Sequence, residues 1–332
     1  MAGIRKLRKL LIGLEESTDQ GTGVAATTYL RLNGTIEDAR ETTHPDEDIG
    51  YLWGAGRSYN SKEHAILNTQ GEATFEQMPY IYNAGIKGVA PTTDTGTGTA
   101  YIYTYDFPQT DSDSIYSYTI EGGDNEGCEE MNFGFVPEFS LSGEIGQAWM
   151  VDATWNGQTV TASTYTAGLS LPTVEEILFS KTKLYIDADT DTIGTTQITS
   201  TLINANLTLS LWRPVWTADG SLSFTFTKVS QPSGVLTMTF EHNSNAITEK
   251  GLWRLNTKRL IQLKTEGSTL TAAGAYTYKT HIINVAGSYS KWDKIDEVDG
   301  NDVISCTLPI GYSSNWGKAG QIITVNQTAT LP

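Results

Sequence analysis

Cysteine is nearly absent from this chain. Cys128 and Cys306 are the only two in 332 residues, too few for a disulfide framework, and two free thiols in a reducing cytosol are expected. Charge is sparse as well, at 18% Asp, Glu, Lys and Arg. No apolar run reaches the length of a membrane span. Histidine occurs four times, at His44, His64, His242 and His281, without HExxH or HxH spacing, so no metal site is expected. There is no GxSxG, no P-loop and no GxGxxG between a strand and a helix. Two acidic groups have the residue types of a glycosidase, Glu129-Glu130 and the Asp46–Asp48 run, but acid clusters on loops are usually solvated. Alternating Asp187, Asp189 and Asp191 suggest a calcium loop, yet neither the required Gly nor the closing Glu follows. Neither an enzyme nor a cofactor is expected.

What the chain has is acid, glycine and β-forming residues. Its net charge is −16. The first thirteen residues contribute +4 through Arg5, Lys6, Arg8 and Lys9, so the remainder carries −20. That balance disfavours adhesion to nucleic acid or anionic lipid. The basic start followed by a brief apolar run is too short and interrupted for a signal peptide. Residues 1–26 are therefore expected to form an N-terminal arm, either a disordered terminus or a basic strap docked on an acidic neighbour.

Gly and Thr favour strands and turns, and most of the chain reads as β. Two stretches break that rule. His64 to Gly88 and Leu236 to Leu260 each run from alternating strand-like residues through a polar patch into one helical segment. They overlay at an offset of about 172 residues, placing Tyr80 on Leu252. A strand–helix unit used twice, half a chain apart, implies two copies of one domain. The expected fold is mainly β with one flanking helix per domain: arm 1–26, first domain 27–170, second domain 171–332.

Thr74 and Gln77 have capping-box spacing, which starts the first helix near Phe75 or, because Pro79 fits only a first turn, two or three residues later, with Gly85 or Gly88 stopping it. Asn245 or Ser244 caps the second. Phe133–Ser142 and Gln147–Trp155 form a hairpin around Gly143–Gly146. Thr92–Gly98 is linker-like. The acidic loop Thr35–Tyr59 carries Asp46, Glu47 and Asp48, with Tyr51 and Trp53 near its end. A loop this long is functional or disordered. Trp212, Arg213 and Trp216 open a second long connection that occupies the corresponding place.

Several stretches in order resemble the tail tube proteins of long-tailed bacteriophages. They are RKLLIG at the start, TIEDAR in the acidic loop, ATFEQMPYIYNAGIKG at the first helix, LTMTFEHNSNAI and EKGLWR at the second, and YTYKT followed by EVDGNDV. The resemblance spans nearly the whole chain and implies a β-sandwich or half-barrel with a flanking helix. In that family six such domains close into a ring, and rings stack into a hollow tube that conducts DNA. A duplicated domain implies homotrimers with pseudo-sixfold symmetry, the alternative being homohexamers of single domains. The implied location is the virion tail, assembled in the host cytoplasm. Implied partners are further copies of the chain, a tape-measure protein, tail tip and terminator proteins, and double-stranded DNA in transit without specific binding.

Four inner strands per domain, borrowed from the family, give twenty-four in a ring. At ~4.8 Å spacing and a ~40° tilt the backbone diameter is ~48 Å, wide enough for a duplex. Many of the acids are expected to face the lumen. Ring stacking is expected through Arg5, Lys6, Arg8 and Lys9 against acids of the adjoining ring, and through Thr35–Tyr59 and Arg213–Ser233. Trp53, Trp212 and Trp216 serve there as apolar anchors or pack in the core. A carbohydrate- or receptor-binding β module of the virion is the alternative.

Overall fold

The computed structural model describes residues 3–53, 56–94, 100–110, 113–271 and 274–331. Part of the linker-like stretch Thr92–Gly98 lies outside them. The largest sheet has thirteen strands, eight of which form one continuous path. Four come from the first half of the chain: β3 (Ile36–Asp38), β6 (Ala65–Glu72), β10 (Cys128–Glu144) and β11 (Met150–Gly157). Four come from the second: β15 (Leu202–Val215), β16 (Phe226–Glu241), β19 (Lys291–Trp292) and β21 (Asn301–Pro309). Their order is β19-β21-β16-β15-β10-β11-β6-β3. β1 (Lys9–Leu14), β2 (Thr28–Tyr29), β9 (Tyr118–Gly123), β12 (Val160–Ser163) and β20 (Asp296–Val298) branch from it.

A second, seven-stranded sheet packs beneath, in the order β14-β13-β17-β18-β22-β8-β7. These strands are β7 (Thr92–Thr93), β8 (Tyr101–Asp106), β13 (Thr182–Ala188), β14 (Gln197–Ile198), β17 (Arg259–Thr269), β18 (Tyr278–Gly287) and β22 (Gly320–Asn326). A small hairpin, β4 (Glu41–Thr43) with β5 (Tyr59–Lys62), carries the acidic loop. Two α-helices occur among the described residues, α1 (Met78–Gly85) and α2 (Ser244–Arg254). The fold is mainly β with few helices, as the composition implied.

The two halves are not separate sheets. β10 pairs with β15 across the boundary expected near residue 170, and β8 pairs with β22. One apolar core runs from Leu10 to Ile322. Its centre is α1, whose eight residues are all buried. The Tyr82 ring lies 5.3 Å from Tyr105, 5.6 Å from Phe139 and 6.0 Å from His281. Lys279 bridges Glu76 at 2.6 Å and Glu175 at 3.1 Å, stitching the connecting segment and the second half to the first.

The N-terminal arm is a correction. Leu10, Leu11 and Ile12 are buried, and β1 lies between β2 and β9 with covered faces on both sides. Residues 3–8, before β1, are exposed, with a 3-10 turn at Arg5–Leu7. α1 begins at Met78, the later of the expected starts, which places Pro79 in its first turn. The Gln77 side chain donates to Tyr29 O and accepts from Arg31 N instead of closing a box. The cap of the second helix shifts. Asn243, rather than Ser244 or Asn245, caps α2, accepting from the amides of Asn245 and Ala246.

His281 ties α1 to the second half, sharing a 2.8 Å hydrogen bond with the Tyr82 hydroxyl. Burial lowers its pKa to about 3, so it is neutral in the folded chain. The unfolded chain takes up this proton below pH ~6.5. Stability is therefore full above that pH and falls as pH drops toward 3, with a slope approaching ~1.4 kcal/mol per pH unit. Urea unfolding between pH 6.5 and 5, where most carboxylates stay ionised, reads this slope. His281→Gln flattens it while keeping a hydrogen-bond partner for Tyr82; an unchanged slope assigns the sensitivity elsewhere.

Candidate functional site

The main sheet has one face on the core and one open. Side chains alternate along a strand, and directly paired residues share a face. Three cross-strand rows therefore lie on the open side. One is Gln70–Asp152–Ser140–Thr208–Val235–Pro309. On either side of it run Asn68–Thr154–Glu138–Ser210–Ser233 and Glu72–Met150–Ser142–Asn206–Thr237–Thr307. The surface is mostly neutral hydroxyl and amide, a ladder continuous across both halves.

Six carboxylates punctuate this face: Glu37, Glu72, Glu138, Glu144, Asp152 and Glu241. Residues 65–72, 128–144, 150–157, 202–211, 233–241 and 301–309 contain no Lys or Arg. The outer face of the second sheet differs. There Lys183 and Lys264 stand side by side and pair with Glu266 at 2.6 and 2.8 Å. On the open face Lys291, paired with Thr307, and the Arg213–Lys228 pair stand only at the margins, so the scarcity of cations belongs to its central part and is not a consequence of acidic composition alone.

The basic cluster lies at the margin of that open face. Arg5, Lys6 and Arg8 are exposed, while the Lys9 ammonium sits 3.9 Å over the Tyr165 ring. Among the described residues none of the four forms an ion pair with a carboxylate. Together they line a cleft of about 690 Å³ whose opposite wall includes Asn68, Gln70 and Asp152.

The acidic loop projects from the β4–β5 hairpin. Glu47 accepts from Arg57 at 2.6 Å, but Asp46 and Asp48 have no cation partner among the described residues. Tyr51, Leu52 and Trp53 are almost fully exposed. The second connection behaves otherwise. Trp212 is a correction: it is 3% exposed, and its indole N–H donates to Ile86 O at 3.1 Å, so it is core and not a surface anchor. Arg213, next on the strand, points to solvent. Trp216 is partly covered; Lys62 Nζ lies 3.8 Å over its ring and His64 meets its edge. Phe224, which the sequence did not single out, fills the first half instead, 5.2 Å from Phe133 and 5.5 Å from Phe135.

Chemistry elsewhere is occupied or buried. Asp187 accepts from the amides of Gly194, Thr195 and Thr196, which spends it on a turn. Glu129 and Glu130 are neighbours on β10 and so point to opposite faces. Burial pushes the Cys128 thiol up to about 11. No group of His, Cys, Asp or Glu with metal-binding geometry occurs among the described residues. No family model matches the chain, and no curated protein is similar to it.

Proposed function

We propose that this chain is a structural subunit that closes with two further copies into a ring, and that rings stack into a hollow tube conducting duplex DNA. The observation that carries the reading is the continuous eight-strand sheet, whose open face has no cation over its central part, Lys291 and the Arg213–Lys228 pair standing only at its margins. The strand order supports a tandem duplication. β3-β6-β11-β10 in one half matches β15-β16-β21-β19 in the other, with the second strand of each set leading into a helix. Three copies supply twenty-four strands, enough for a ring ~48 Å across at the backbone. The ring closes where the β3 edge of one copy meets the β19–β20 edge of the next, repeating the junction that β15 and β10 make within the chain.

A wall that passes DNA must not hold it. Phosphate binding draws on Lys and Arg and on counterion release. Hydroxyls, amides and scattered carboxylates give a wetted surface that repels phosphate and offers no lasting contact. Arg5, Lys6 and Arg8, unpaired at the margin of that face, meet carboxylates of the adjoining ring.

Lysine placed on the open face tests this reading. Glu138→Lys with Asp152→Lys adds six cations to each ring of three. Assembled variant tubes are expected to retain a short duplex at low salt, with affinity falling steeply as salt rises. Wild-type tubes retain none. Retention by the wild type, or no gain in the variant, overturns the assignment of this face.

A further inference from the structure

Of the two α-helices among the described residues, one is buried throughout and the other is largely open. α1 is covered from both halves, with Tyr82 against His281 and Trp212 reaching Ile86 just past its end. In the first half, the connection between β15 and β16 inserts Phe224 against Phe133 and Phe135 of β10. α2 lacks such a cover. Only Ala246 and Glu249 are buried, while Ile247 is 56% and Leu255 75% exposed. Gly251 lies between them at the same four-residue spacing, and a Cβ there would meet nothing within 4 Å. Ile247 and Gly251 on α2 and Leu255 at its C-cap form one open stripe.

The first half carries the matching element with nothing beneath it. At the 172-residue offset Phe224 corresponds to Leu52. Tyr51, Leu52 and Trp53 are 81%, 102% and 89% exposed. Three consecutive large apolar residues in water mark an interaction surface. Charge agrees with the shape. Asp46 and Asp48 precede this tip without cation partners, and Lys250 and Arg254 flank the α2 stripe without carboxylate partners, among the described residues.

We propose that Tyr51–Trp53 of one copy seats on the Ile247–Gly251–Leu255 face of α2 in the next copy, with Asp46 and Asp48 against Lys250 and Arg254. The inference rests on the assembly in the preceding reading: Phe224 is covered within the chain, whereas the corresponding Tyr51–Trp53 tip and the α2 stripe are both bare and opposite in charge, and they meet between chains. Each chain then has one tip and one receiving face, so the contact is head-to-tail and generates a ring or a filament, not a closed dimer.

Cysteine cross-linking tests it, because both native cysteines are buried. Leu52→Cys chains mixed with Ile247→Cys chains and a short bis-maleimide are expected to give a cross-linked dimer that neither variant gives alone. Asp46→Lys with Asp48→Lys is expected to weaken self-association about tenfold, and adding Lys250→Glu with Arg254→Glu to the same chain restores it. Leu52→Asp weakens it about thirtyfold. Hollow tubes without the mixed cross-link overturn this contact and leave the tube reading standing. Cross-linked chains that form only solid filaments support the contact and remove the tube reading. Failure to associate at any concentration overturns both.

Discussion

Trp212→Ala lowers the stability of the chain by about 3–5 kcal/mol, the range for emptying a large buried aromatic site. The indole is 3% exposed and donates to Ile86 O, at the junction of α1 with the second half. Its removal leaves a cavity and an unpaired carbonyl in the same place, and the surrounding sheets hold that cavity open. Trp53→Ala, by contrast, leaves the urea midpoint unchanged, because Trp53 is 89% exposed. The two substitutions therefore separate folding from assembly. A cost below ~1 kcal/mol for Trp212→Ala would mean that the halves are not locked through this residue.

The second large effect is at Glu249. Its carboxylate, buried on the inner face of α2, accepts from Arg259 Nε at 3.0 Å and from Arg259 Nη2 at 2.8 Å. The Tyr289 hydroxyl donates to the same group at 3.3 Å. Glu249→Ala strands a guanidinium and a phenol in the interior and costs about 3–5 kcal/mol. Glu249→Leu combined with Arg259→Met recovers most of that loss, because no buried charge remains. Equilibrium unfolding of the two single variants and the double variant measures the coupling. The pair fastens α2 to β17, so Glu249→Ala also weakens self-association, and the double variant restores it. If the double variant is as unstable as Glu249→Ala, the pair contributes more than charge compensation.

The class of fold was legible because period-two alternation and Thr-rich strands dominate the chain. The hairpin around Gly143–Gly146 was legible from its turn residues. What escaped were features set by distant partners. Leu10–Ile12 carry three adjacent buried residues, a pattern that reads as a short apolar interruption until β1 is seen paired along both edges by β2 and β9 with both faces covered. Trp212 and Trp216 look alike in sequence, yet one fills the core and the other lies under Lys62. Gln77 reads as half of a capping box, yet its side chain is engaged by the segment around β2, nearly fifty residues away. The join between the halves depends on β10 pairing with β15, which no local pattern records.

The candidate surfaces were partly legible for the same reason. Tyr51 and Trp53 stood out because aromatics in an acidic loop have no local reason to be there. The open sheet face did not stand out, because Ser, Thr and Asn at every second position are ordinary for a solvated strand. Its character appears only when registers align the strands and show that cations, Arg213, Lys228 and Lys291, fall only at its margins. The bare stripe on α2 was hidden by its helix cap and basic residues, which read as a surface helix complete in itself.

Electron microscopy of the purified chain over a range of concentration, with particle mass measured alongside, tests the central claim most directly. The account predicts hollow particles whose rings contain three chains with six similar lobes, enclosing a lumen wider than a DNA duplex. Particles that never exceed one chain at any concentration or salt, or filaments with no lumen, would contradict it.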